Sequence, residues 1–197
     1  MNTARNERLY KLVLLALLTA IVIVLQLLGA FIRFGPFSIS LVLMPIVVGA
    51  ALVGPMAGGW LGLIFGVIVL ASGDANVFLP IDPVGTVVVV IVKGIVAGLL
   101  AGIGYKLFAK INKTAGAIAA AALCPIGNTG IFILGLYVFF LPTMREWGAD
   151  FESVTTFIFF GMVGMNFIVE LALNLVLCPV IVRLIQYGQG KKGVSTV

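Results

Sequence analysis

Lys93 and Glu170 stand in the middle of apolar sequence, Lys93 within GTVVVVIVKGIVAGLLAGIG and Glu170 within FIFFGMVGMNFIVELALNLVLCPVIV. An ionised side chain at bilayer depth costs roughly 2.5–3.5 kcal/mol on insertion scales, so such residues turn toward a bundle interior and pair or work there. Asn128 lies at the same depth within CPIGNTGIFILGLYVFF. Asn166, Glu170 and Asn174 follow at i, i+4 and i+8, which places them on one stripe of an otherwise apolar helix. Pro125 and Gly127 loosen the helix around Asn128, and the backbone carbonyls so freed can accept hydrogen bonds. A lysine ammonium suits a carboxylate, whereas Glu and Asn suit hydroxyls and amides. Two readings stand side by side. Lys93 and Glu170 pair inside the bundle with the asparagines as interhelical hydrogen bonds, or these residues converge on a ligand cavity. An ion pair that opens to admit an acidic or zwitterionic solute joins the two.

The elements that carry these residues follow from composition. The chain of 197 residues is 62% hydrophobic and 10% charged, with a mean hydropathy of +1.26. That is the balance of a membrane protein with no room for a large extramembrane domain. Breaks at charges and at Gly/Pro divide the apolar sequence into six runs, at about 11–31, 38–53, 56–72, 84–105, 115–140 and 156–183. The second and third form one stretch too long for a single crossing of roughly 30 Å, and Gly54-Pro55 divides it. The expected fold is all-α: six transmembrane helices in one compact bundle, a single integral membrane domain over residues 1–197.

Arg5, Arg8, Lys11, Lys106, Lys110, Lys113, Arg183, Lys191 and Lys192 fall on one side, against Arg33 and Arg145 on the other. By the positive-inside rule both termini are cytoplasmic. The net charge of +5 is therefore topology rather than a nucleic-acid patch. The first run is longer than the apolar core of a signal peptide and is expected to be a retained helix.

Several activities are excluded. The chain has no histidine, which removes imidazole catalysis and His-based zinc sites. It has no P-loop and no GxSxG elbow. Cys124 and Cys178 read as buried thiols without a disulfide. Gly54, Gly58, Gly62 and Gly66, like Gly94, Gly98 and Gly102, recur every four residues, so small side chains share one helical face. Such a face packs within the bundle or docks another subunit. Among the outer loops, GAFIRFGPF carries Arg33, SGDANVFLPIDP carries Asp74, Asn76 and Asp82, and LPTMREWGADFESV carries Trp147. Each loop is either a solvated connection or part of a binding site.

The stretch FSISLVLMPIVVGAALVGPMAGGWLGLIFG, the sequence CPIGNTGIFILGLYVFF and the alanine pair of ALLTA resemble the substrate-binding S components of energy-coupling factor (ECF) vitamin transporters over roughly residues 10–185. The resemblance implies a protein that binds one vitamin from the outer side, hands it inward by toppling in the membrane, and has no cofactor of its own. A separate coupling transmembrane protein and two ABC ATPases would supply ATP hydrolysis. It implies a contact with the coupling protein at Ala16 and Ala20. It also implies a pocket from helices four to six, capped by the first and third loops, with Arg33, Asp74, Asn76, Lys93, Asn128, Asn166 and Glu170 as candidates.

Beyond phenylalanines and Tyr137, spans four to six have little aromatic content for stacking a large ring. A carboxylate on Lys93, with hydroxyl and amide partners at Glu170, Asn128 and Asn166, fits pantothenate; riboflavin and folate remain open. The alternatives are a self-sufficient proton-coupled secondary carrier, in which Lys93 and Glu170 relay protons, and a non-transporting assembly factor or membrane enzyme.

Overall fold

Helices form wherever the apolar runs are free of Gly/Pro breaks, and the breaks fall where backbone chemistry forces them. A computed structural model describes residues 2–29, 33–34, 37–38 and 41–193. Helix α1 (Asn2–Gly29) is followed by an antiparallel ribbon of β1 (Arg33–Phe34) and β2 (Phe37–Ser38). Then come α2 (Leu43–Leu52), α3 (Pro55–Ala71), α4 (Pro83–Phe108), α5 (Lys113–Phe139) and the short α6 (Leu141–Trp147). The last third begins with α7 (Val154–Thr156), which runs through a π-helical segment (Phe157–Val163) into α8 (Gly164–Val176), and ends with α9 (Cys178–Gly193).

The boundary between α2 and α3 is the expected one. Gly54 takes φ 129°, a conformation that disfavours side chains, and Pro55 opens α3 with the φ it already prefers. Asp82 caps α4 by accepting the Gly85 N–H at 2.9 Å, again with Pro83 as first helical residue. Asn112 caps α5 through the Ala115 N–H at 2.7 Å.

Helix lengths depart from the six even crossings of the sequence reading. From Arg5 to Gly29, from Pro83 to Phe108 and from Lys113 to Phe139 the helices are long and apolar enough to cross a membrane. The pair Val154–Val163 and Asn166–Val176, bent by 46°, makes a fourth if taken as one broken span. Helices α2 and α3 are shorter, with 10 and 17 residues. At 1.5 Å per residue, α2 rises only about 15 Å, half the hydrocarbon thickness. Pro45 explains its late start, since a proline is tolerated only in the first turn. The expected sixth run breaks because a π-helical register over Phe157–Val163 shifts the hydrogen bonding. Gly164 is needed there, since a Cβ would strike the Phe159 carbonyl.

The glycine series face each other. A Cβ on Gly62 would meet the carbonyl of Gly94, and one on Gly94 the carbonyl of Gly62; Gly58 and Gly98 stand in the same relation. One on Gly66 would lie 2.8 Å from the Val90 carbonyl. Small residues thus let α3 and α4 pack backbone to backbone, and of the two sequence readings internal packing is the one realised. Ala97, Ala101, Ala117, Ala120 and Ala121 continue this close packing between α4 and α5. Cys124 and Cys178 are free and buried. A second apolar cluster of Phe78, Leu136, Phe140, Met144 and Ile158 lies where the connection from α3 to α4 meets α5 and α6.

Outward-facing positions are apolar all round: Val13, Met56, Val84, Val138, Phe160 and Val176 are among the most exposed. Among the described residues the buried polar side chains are few: Gln26, Thr86, Asn128, Thr129, Glu170 and Asn174. Apolar outside and polar within is the pattern of a chain whose solvent is lipid.

Candidate functional site

Asn128, Thr129 and Glu170, half of those buried polar groups, gather at one place. A partly open cavity of about 70 Å³ lies between α3, the 72–82 connection, α4, α5 and the start of α8. Lys93, Asn128, Asn166, Glu170 and Asp74 line it, so five of the seven site residues expected from sequence meet on one surface. Lys93 projects from the face of α4 next to its glycine stripe. Asn128 projects from α5 one turn beyond Pro125, a residue that cannot donate the usual bond to the carbonyl four positions back. Asn166 and Glu170 leave α8 directly after the π-helical segment, whose Val163 also lines the cavity. Single π turns are frequent where a helix must redirect side chains at a functional site.

The Lys93 ammonium lies 5.7 Å from the ring centre of Phe65 and 5.2 Å from that of Phe132, within reach of both aromatic faces. Glu170 and then Asp74 are the acids whose charges act on it. Glu170 is 1% exposed, and its Oε1 accepts from Asn166 Nδ2 at 3.4 Å. Asn174 donates to the Glu170 backbone carbonyl at 2.9 Å, and so braces its own helix one turn deeper instead of reaching the cavity wall. Among the described residues, the Oδ1 atoms of Asn128 and Asn166 are buried and accept no hydrogen bond. Leaving a buried acceptor unmatched costs about 1–3 kcal/mol. Asn174 Oδ1, away from the cavity, is unmatched in the same way.

Other expectations fall elsewhere. Asn76 is exposed beside Gly73 and does not line the cavity. The two-residue step from Asp74 places it on the outer side of the turn, whereas Ala75 and Phe78 turn inward. The backbone of Arg33 pairs with Ser38, and its side chain lies outside the described residues. Asp82 serves as the cap of α4. Ala16 and Ala20 are exposed on the outward side of α1.

Sequence reasoning missed the aromatic wall. Phe65 from α3 and Phe132 from α5 flank Lys93, and Phe78 from the connection lines the same cavity, its ring centre 4.9 Å from that of Phe140 and 6.1 Å from that of Trp147. Helix α3 therefore joins α4, α5 and α8 in the wall. No periodicity separates Phe65 from a core phenylalanine. Thr129 was legible as the neighbour of Asn128. Gln26 was legible too, as a lone amide in the first apolar run; it is 2% exposed and donates to Asp74.

A bilayer-embedded helical bundle with a polar, aromatic-walled cavity is the form of a membrane protein that takes up a solute. The chain matches the model of the ECF transporter substrate-specific component over residues 10–182, and it belongs to that family, whose members are transporter subunits and not enzymes. It is also similar to the pantothenic acid transporter PanT of Lactococcus lactis subsp. cremoris (strain MG1363), at 26% identity over 186 residues, covering 86% of this chain and 90% of the relative. No solved structure matches the chain.

Proposed function

We propose that this chain is the vitamin-binding subunit of an ECF-type importer and that its substrate is pantothenate. The observation that carries the proposal is the pair of unmatched acceptors, Asn128 Oδ1 and Asn166 Oδ1, in the same cavity as the Lys93 ammonium. Pantothenate brings a carboxylate for Lys93, with one amide N–H and two hydroxyls as donors for those acceptors and for Glu170. Its branched aliphatic carbons need only apolar contact, which Phe65, Phe78 and Phe132 offer. The similarity to a pantothenic acid transporter supports the same substrate. In this reading Asp74, Lys93, Asn128, Asn166 and Glu170 are the binding residues, with Arg33 closing the site from the first loop.

The chain as a whole is then one integral membrane domain crossing six times with both termini cytoplasmic, α2 and α3 serving as short crossings. Two ABC ATPases hydrolyse ATP on its behalf, and a coupling transmembrane protein makes contact at Ala16 and Ala20.

The test is binding by the purified chain, read by calorimetry with pantothenate, riboflavin and folate, and by mass spectrometry of small molecules it releases. Tight binding of pantothenate alone supports the proposal. Binding of another vitamin in its place moves the substrate assignment. Uptake by the chain without ATPase subunits, abolished by an uncoupler, overturns the proposal in favour of a proton-coupled carrier.

A further inference from the structure

At the end of the bundle that the positive-inside rule assigns to the cytoplasm, the corner between α2 and α3 stops short of its neighbours. Gly54-Pro55 turns level with Gly102 of α4, where a Cβ would strike Pro55. Helix α1, in contrast, continues from Lys11 back to Asn2, and α4 runs on to Phe108. The recess so left between them has a volume of about 480 Å³. The corner lines it with small and apolar residues, Ala50, Ala51, Leu52, Val53 and Pro55. Three ammonium groups complete the lining: Lys11 of α1, half-buried, with Lys106 on the last turn of α4 and Lys110 just beyond it, both exposed. No carboxylate lines the recess.

We propose that this recess binds the phosphate headgroup of an anionic phospholipid. It is a site apart from the vitamin cavity, since no residue lines both. Charge complementarity carries the assignment. Lys11 and the Lys106–Lys110 pair come from two helices, and folding brings them to one concavity whose lining holds no acid to offset them. Like charges gathered in a concavity raise its local potential and draw in a counter-ion. Depth selects a lipid over a soluble anion. Lys11 opens the first apolar run and Lys106 follows directly on the fourth, so both stand where hydrocarbon gives way to headgroups. Basic pockets between transmembrane helices at that level suit anionic headgroups. Leu12 on α1 and Ile103, Leu107 and Phe108 on α4 are exposed, and offer apolar surface to the acyl chains of the same lipid.

The experiment titrates the purified full-length chain in detergent with phosphatidylglycerol, and with phosphatidylcholine of the same acyl chains, and counts bound lipid by native mass spectrometry. Phosphatidylglycerol is expected to bind about tenfold more tightly. Lys11→Gln, Lys106→Gln and Lys110→Gln together are expected to remove that preference by weakening phosphatidylglycerol about tenfold and leaving phosphatidylcholine within about twofold. Arg5→Gln, Lys113→Gln and Arg183→Gln together remove the same charge from exposed positions at the same end that do not line the recess. This second variant is expected to keep the preference. Lys11→Gln alone serves if the triple variant does not fold, with an expected loss of about threefold against none for Lys113→Gln alone.

Equal losses in the recess variant and in its charge-matched control mean that diffuse surface charge attracts the lipid, and overturn the proposal. Displacement of phosphatidylglycerol by an equal concentration of glycerol phosphate means a site for soluble anions, and overturns it as well. No preference for phosphatidylglycerol in the unsubstituted chain leaves the recess to an acidic segment of a partner protein, and equally overturns it.

Discussion

At Lys93 the two sequence readings, internal ion pair and ligand site, concern residues that line one cavity. The acids that act on the ammonium, Glu170 and Asp74, stand on the cavity wall themselves, and two aromatic faces flank the charge. What favours a ligand is the company these groups keep: Asn128 Oδ1 and Asn166 Oδ1 lack a donor, as Asn174 Oδ1 does one turn deeper, but only the first two belong to residues that line a cavity with Lys93. Lys93→Met is accordingly expected to abolish detectable pantothenate binding in a calorimetric titration. Undiminished affinity would return Lys93 to a purely structural role. Asn128→Ala removes one acceptor and is expected to weaken binding by about tenfold, with the same measurement as check. Arg33, Asn76 and Asp74 looked alike in sequence, as polar residues of outer loops. Only Asp74 is brought to the cavity wall among the side chains the structure describes.

Elements are held by two devices that the sequence displays openly, small-residue stripes and helix caps. Gly62→Ala would set a methyl against the Gly94 carbonyl, where neither backbone can yield, whereas Gly130 has nothing within 4 Å of the corresponding position. The first substitution is expected to cost about 1–3 kcal/mol, read as a lower melting temperature in detergent, and Gly130→Ala to cost nothing measurable. Asp82→Ala removes the cap of α4 and is expected to cost about 1 kcal/mol while leaving pantothenate affinity unchanged. A loss of affinity instead would move Asp82 from the helix terminus into the site. Period and length of the apolar runs predicted α4 and α5 well because each is continuous, whereas α1 begins at Asn2, ahead of the run expected from residue 11, through polar residues that give no apolar signal. The shortness of α2 and the bend after Val163 were not legible: one depends on where Pro45 falls within a turn, the other on a change of hydrogen-bond register that no side-chain pattern announces.

For the whole molecule, an apolar outward surface surrounds an interior cavity with polar lining. Ala16 and Ala20 lie exposed on α1, opposite the side that carries Leu18 and Val22. Ala16→Trp and Ala20→Trp are therefore expected to leave pantothenate binding intact while blocking uptake by cells and co-purification with the ATPase module. Loss of binding itself would show that this face of α1 supports the cavity rather than a partner. The inner face of α1 is the one that reaches the site, through Gln26 and Asp74.

By itself the sequence determined the solvent of this protein, the order of its helices, the glycine faces that bring two of them together, and the places of Lys93, Asn128 and Glu170 within their apolar runs. Those follow from local composition and from the fixed 3.6-residue period of a helix. The tertiary structure alone decided which residues of distant runs share a wall: that α3 supplies Phe65, that Phe78 turns inward while Asn76 faces out, and that α1 holds Asp74. The physical reason is that a helix period states which positions share a face, whereas the rotation of each helix against its neighbours is set by packing of the complete bundle.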